Sequence, residues 1–125
     1  RTLSCFYEQN SAFPRVTGGL SKRKLQQVVE YMNNHLDQDL TLPELAAVVH
    51  MSPSYFSSSF KQSTGFSPHQ YLIRCRIERA KQLLLQNELS IADVAHRLGF
   101  AHQSHLSRHF TRLVGVTPKA FLKSQ

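Results

Sequence analysis

The chain has 125 residues, 41% of them apolar, with eight Phe and no Trp, which suits one compact domain or two very small ones. No apolar run reaches the roughly 18 residues a membrane span needs, and no secretory leader pattern is visible. The net charge of +7 lies entirely in residues 51–125, where ten basic residues face three acidic ones, because residues 1–50 balance five against five; such an excess points to a polyanion, either nucleic acid or an anionic membrane surface.

Residues 1–19 show no sustained periodicity, and Pro14 with Gly18-Gly19 would break any element. They are expected to be a linker or the tail of an upstream domain, and a first residue of Arg rather than Met suggests a fragment or processed chain. From Ser21 to His35 a helix is expected, with Leu25, Val28, Val29, Met32 and Leu36 forming one apolar stripe. Lys22, Arg23 and Lys24 fall in its first turn, where the helix dipole disfavours cations, and read as a solvated basic turn.

A turn over 33–40 leads to a second helix opened by the capping-box pattern Thr41-x-x-Glu44, with Leu42, Leu45, Ala46 and Val49 on its inner face. Ser52-Pro53 starts a third, a Ser cap followed by Pro at the first helical position. Phe56 and Phe60 are its inward pair and Gly65 its stop. Ser67-Pro68 repeats the start signal for a long helix to about Gln86, with Tyr71, Leu72, Cys75, Ala80, Leu83 and Leu84 inside and Arg74, Arg76, Arg79 and Lys81 outside. After a break at 87–89, Ser90 and Asp93 open a fifth helix whose core face is Ile91, Val94, Ala95 and Leu98. Gly99 makes the next turn, a sixth helix runs from about His102 to Val114 and stops at Gly115, and Thr117-Pro118 starts a short seventh with Phe121 and Leu122 inward. No strand signal competes, so the fold class is all-α: seven helices. The second cysteine, Cys75, falls on an apolar stripe and reads as packing; neither it nor Cys5 has the spacing of a zinc finger.

The later part of the chain repeats the earlier part. Shifted by 49 residues, Leu42, Glu44, Leu45, Ala46 and Val49 meet Ile91, Asp93, Val94, Ala95 and Leu98. After the turn one inserted residue makes the shift 50. Phe56, Ser57, Phe60, Gly65, Ser67, Pro68, Tyr71 and Leu72 then meet Leu106, Ser107, Phe110, Gly115, Thr117, Pro118, Phe121 and Leu122. Each copy is a helix, a tight turn and a second helix, a helix-turn-helix. A small Ala (Ala46 or Ala95) lets the second helix cross closely, and that second helix is left with a polar outer face suited to base edges.

The segments LTLPELAAVVHMSPSYFSSSFKQSTGFSPHQYL, RCRIERAKQLLL and IADVAHRLGFAHQSHLSRHFTRLVGVTPKAF resemble those of the AraC/XylS family of bacterial transcription regulators, over about residues 20–122. The resemblance implies two helix-turn-helix units joined by a long central helix, with boundaries near 20–65, 66–87 and 88–125 inside a DNA-binding domain over 20–125. It implies sequence-specific double-stranded DNA as partner, with two recognition helices in successive major grooves of one asymmetric site. It further implies a transcription regulator, expected to be an activator, acting in the bacterial cytoplasm and on the nucleoid when bound. RNA polymerase and an N-terminal sensor or dimerisation domain are expected further partners; no membrane association is expected.

Carried over by position, the first recognition helix presents Ser54, Ser57 and Ser58 to bases, and the second presents Gln103, Ser104, His105 and Arg108. Three serines stand where family members often have longer side chains, so looser or water-mediated readout is expected from the first. Arg108 suits bidentate bonding to guanine and Gln103 to adenine. Ser52, Tyr55, Lys61, Gln62, Arg76, His102, Arg112 and Lys119 are the candidate phosphate contacts, which set register without reading sequence. Arg97 serves either the phosphate backbone or the solvated surface. His102, His105 and His109 recur at helical spacing, but no carboxylate or Cys joins them, so no metal is expected. No cofactor or enzyme activity is expected either, since no nucleophile–base pairing, phosphate-binding glycine loop or acid pair is present. Two other readings remain open: a protein-interaction module, and a non-specific basic nucleic-acid binder.

Overall fold

The computed structural model describes residues 19–125, so all but the last residue of the tail expected over 1–19, Cys5 included, lies outside the described residues. Among the described residues there are seven helices and no strand. They are α1 (Lys22–Asn34), α2 (Leu42–Val48), α3 (Pro53–Thr64), α4 (Pro68–Gln86), α5 (Ile91–Arg97), α6 (Gln103–Val114) and α7 (Pro118–Lys123). They group into two compact units. The first holds the described residues to His35 together with Leu40–Leu72; the second holds Leu36–Asp39 and Ile73–Gln125. Helix α4 thus begins in the first unit and continues in the second.

In the first unit, α1 packs on α2 and α2 on α3. The stripe Leu25, Val28, Val29 and Met32 is buried as its spacing predicts, together with Leu45, Ala46, Val49, Phe56 and Phe60. Three aromatic rings pack along the buried side of α3: Phe56 against Phe60 at 5.6 Å, and Phe60 edge-on to Tyr71 at 5.3 Å. Such edge contacts add about 0.5–1.5 kcal/mol beyond the burial itself. Thr41 Oγ1 accepts the Glu44 N–H at 3.3 Å, which is half of the expected capping box. The Glu44 carboxylate instead accepts the Tyr31 hydroxyl of α1 at 2.9 Å, and this bond holds the phenol pKa above its usual 10.0. Leu42, expected inside, is the first residue of α2 and is 36% exposed. A full reciprocal box occurs two helix starts later: Ser67 Oγ accepts the Gln70 N–H at 3.2 Å, and Gln70 Oε1 accepts the Ser67 N–H at 3.1 Å.

In the second unit, Cys75, Ile77, Ala80, Leu83 and Leu84 of α4 share a core with Val94, Ala95, Leu98, Phe100, Leu106 and Phe110. Phe110 meets Phe121 of α7 edge-on at 5.5 Å; Phe121 and Leu122 are only half-buried. Ser90 and Thr117 cap α5 and α7 through bonds to the Asp93 and Ala120 N–H groups, both at 3.1 Å.

The two helix-turn-helix turns are built alike. Met51 N–H reaches the Ala46 carbonyl at 3.0 Å, and Phe100 N–H reaches the Ala95 carbonyl at 3.0 Å. Both turns hold one residue in the left-handed region, His50 at φ 57° and Gly99 at φ 78°. The 49-residue shift therefore persists through Met51 and Phe100, and Ala101 is the inserted residue. His50 escaped notice in the sequence because a non-glycine residue rarely occupies this conformation, at a cost of roughly 1–2 kcal/mol.

Candidate nucleic-acid interface

Helix α3 buries Phe56, Ser59, Phe60 and Thr64, which pins its inner face. The opposite face carries Ser54, Tyr55, Ser58, Lys61 and Gln62, all exposed, with Ser57 half-buried at the edge. Ser54, Ser58 and Lys61 recur at i, i+4 and i+7, a single ridge along the helix. Lys61, expected as a phosphate contact, thus shares the ridge with the serines. Tyr55, 60% exposed, flanks that ridge near the helix start. Ser52 sits at the cap position with an exposed side chain that makes no capping bond.

Helix α6 mirrors this arrangement. Leu106 and Phe110 are fully buried. Gln103, Ser104, Arg108, Thr111 and Arg112 are exposed, and Ser104, Arg108 and Thr111 form the counterpart ridge. Thr111 was missed by residue-type reasoning; applying the 50-residue shift to Lys61 would have found it. Its hydroxyl donates to the Ser107 carbonyl at 2.8 Å.

The histidines take more specific places than their spacing suggested. His102 is the N-cap: its Nδ1 accepts the His105 N–H at 3.3 Å and lies 2.7 Å from the Ser104 hydroxyl. His105 is half-buried, edge-on to Phe100 at 5.5 Å, with Nδ1 3.5 Å from the Ala101 N–H. It therefore braces the turn below α6 instead of lying on the exposed ridge with Ser104 and Arg108. His109 stacks obliquely on His105 at 5.0 Å, and its Nδ1 lies 2.9 Å from an Arg112 amino group. Among the described residues no group of His, Cys, Asp and Glu could hold a metal ion.

Arg76 departs from expectation. Its side chain points inward, 7% exposed, so it is removed from the candidate phosphate contacts and from the outer face of α4. Nε donates to the Leu36 carbonyl at 3.0 Å and an Nη to the Gln38 carbonyl at 2.6 Å. Burial lowers the guanidinium pKa, and the nearby Asp39 and Asp37 charges oppose that shift. Helical spacing alone could not reveal this, because the partners are carbonyls some 40 residues earlier. Arg112 and Lys119 are exposed, as is Arg97 on α5.

A helix-turn-helix domain family model matches residues 45–124, from the middle of α2 to the end of α7. The chain is 36% identical over 104 residues to YobQ of Bacillus subtilis, an uncharacterized HTH-type transcriptional regulator, covering 80% of this chain and 43% of that protein. It is 36% identical over 98 residues to the regulatory protein PocR of Salmonella typhimurium, covering 78% and 32%. The chain therefore spans less than half the length of these relatives. Among solved structures, the DNA-binding domain of AdpA in complex with a target DNA superposes with a TM-score of 0.75 at 35% identity, covering 81% of this chain and 91% of that one. An AraC-type DNA-binding domain protein from Chromobacterium violaceum gives a TM-score of 0.77 at 28% identity, covering 82% and 91%. With two helix-turn-helix turns built on the same bonds, and with these likenesses over most of its length, the chain belongs to the AraC-type helix-turn-helix family of transcription regulators and is a DNA-binding domain of that family.

Proposed function

We propose that this domain binds duplex DNA sequence-specifically, with α3 and α6 as its two major-groove readers, and serves a transcription activator. The observation that carries this reading is the pair of ridges, Ser54–Ser58–Lys61 and Ser104–Arg108–Thr111. Each is exposed on a helix whose opposite face is buried. Arg108 reads guanine through two hydrogen bonds and Gln103 reads adenine, contacts worth about 1–3 kcal/mol each in discrimination. Ser54, Ser57 and Ser58 reach less far and contribute looser readout, and Lys61 and Thr111 extend the ridges. Ser52, Tyr55, Gln62, His102, Arg112 and Lys119 hold the phosphate backbone. His105 acts through the turn it braces rather than on a base.

The two ridges differ in every long side chain, so the bound site is asymmetric, with contact zones about one helical turn (~10 bp) apart as in successive grooves of one DNA face. A sensor or dimerisation segment elsewhere in a longer protein, and RNA polymerase, are the further partners. Titration of the domain against a selected duplex and a scrambled duplex of equal length tests the reading. Binding tighter on the selected site by about 1,000-fold or more supports it. Equal affinity for both would reduce the domain to a non-specific basic binder, the second reading, which its +7 charge alone would support.

A further inference from the structure

The buried guanidinium of Arg76 lies against the turn that aims α6. Its Nε and Nη atoms hold the Leu36 and Gln38 carbonyls. A Cβ added at Gly99 would fall 2.9 Å from the Leu36 carbonyl oxygen and 3.0 Å from Arg76 Nη2, so Gly99 is required by close approach as well as by its φ of +78°. The guanidinium carbon also lies 5.8 Å from the centre of the Phe100 ring. That ring touches α6 twice, edge-on to His105 at 5.5 Å and tilted against His109 at 6.1 Å. A continuous packed path runs from Arg76 through Gly99 and Phe100 to α6. The equivalent turn of the first unit lacks both the ring and the glycine: Met51 stands in place of Phe100 and His50 in place of Gly99.

A buried cation satisfied by carbonyls is an unusual way to fill a small core. Burial disfavours the charge, and the bonds to two carbonyls recover that cost only in one fixed geometry. An apolar side chain would fill the space without fixing the turn. The planar fork of Arg, by contrast, sets direction as well as distance.

We propose that Arg76 is a positioning residue for DNA reading by α6: through Gly99 and Phe100 it fixes the angle at which Arg108 and Gln103 meet the bases. This rests on α6 being a base-reading helix, as proposed above. Among the described residues Arg76 is the one buried charged side chain, so the effect is confined to the base pairs that α6 reads.

The test uses the 125-residue chain and the duplex selected for it, with a panel of duplexes each changed at one base pair. Base pairs read by α6 are first identified as those whose mismatch penalties vanish in Arg108→Ala and Gln103→Ala. Arg76→Met is then assayed well below its melting temperature, with helical content checked by circular dichroism. The expected result is a loss of about tenfold in discrimination at the α6-read pairs, the low end of what one bidentate contact carries, with penalties at the other pairs unchanged. Arg76→Lys, which can bond one carbonyl, should fall between. Should Arg76→Met fail to fold, Phe100→Leu keeps the guanidinium and removes the ring beneath His105, and predicts the same selective loss. A uniform weakening at every base pair, or no change in the penalty profile, overturns the proposal. If the unmodified chain shows no base preference at all, the reading of α6 as a reader fails first, and the positioning role falls with it.

Discussion

Truncating Phe110 to alanine removes a ring that is 0% exposed and that meets Phe121 edge-on at 5.5 Å. Lost burial and the cavity left behind cost about 3–5 kcal/mol for a core Phe, a range that already includes the edge contact with Phe121. Domain stabilities of roughly 0.05–0.15 kcal/mol per residue give a unit of this size only about 3–9 kcal/mol in total. The variant should therefore leave the second unit marginal while the first, whose core is Phe56, Phe60 and Tyr71, stays folded. Urea titration followed by circular dichroism should show a lowered and broadened transition, and amide hydrogen exchange should speed up in α5, α6 and α7 but not in α1, α2 and α3. A transition shifted by less than about 0.5 kcal/mol, the size of an ordinary surface substitution, would mean that Phe110 is not the keystone of α6 and that the repeat misplaces the core.

Four further outcomes are expected. Affinity for duplex DNA should fall steeply between low and moderate salt as counterions are released; a flat response would remove DNA phosphates from the account. Arg108→Ala should cost about 1–3 kcal/mol on the selected site and little on random DNA, whereas Lys119→Ala should weaken both alike; equal losses for Arg108→Ala on both would make it a phosphate contact. His50→Gly should raise stability by about 0.5–1 kcal/mol, since it relieves a left-handed residue at φ 57° but adds freedom to the unfolded chain; a destabilised variant would show that the imidazole contributes more than the strain costs. Tyr31 holds its proton more tightly folded than unfolded, because Glu44 accepts its hydroxyl. That stability is intact below the unfolded value of 10.0 and is lost as pH rises through the folded one. Tyr31→Phe should therefore lose less stability than the parent between neutral pH and pH of about 11, and identical pH profiles would contradict the Tyr31–Glu44 bond.

The helices and the duplication were legible in the sequence because both follow from local rules. Apolar spacing placed Val28, Met32, Phe60, Leu106 and Phe110, and the Ser, Thr and Gly signals placed the caps and stops. What escaped was set by partners distant in the chain or by backbone geometry. Arg76 looks like every other Arg on α4 until the Leu36 and Gln38 carbonyls are brought to it. His50 has no residue-type signature for a positive φ. Helical spacing gave His102, His105 and His109 one regular series, but a cap, a brace under the turn and a partner for Arg112 are three different places. The exposed ridges were partly legible: residue type singled out Ser54, Ser58, Ser104 and Arg108, and Lys61 as a phosphate contact, while Thr111 needed the 50-residue shift to be carried one turn further.

The central claim is that two unequal helices read one continuous stretch of duplex DNA. Selection of bound sites from a random duplex library tests it most directly. The account predicts one asymmetric consensus with two blocks of enriched positions, of which the block weakened by Arg108→Ala carries the stronger base preference. A palindromic consensus, a single block, or no enrichment over random DNA would contradict it.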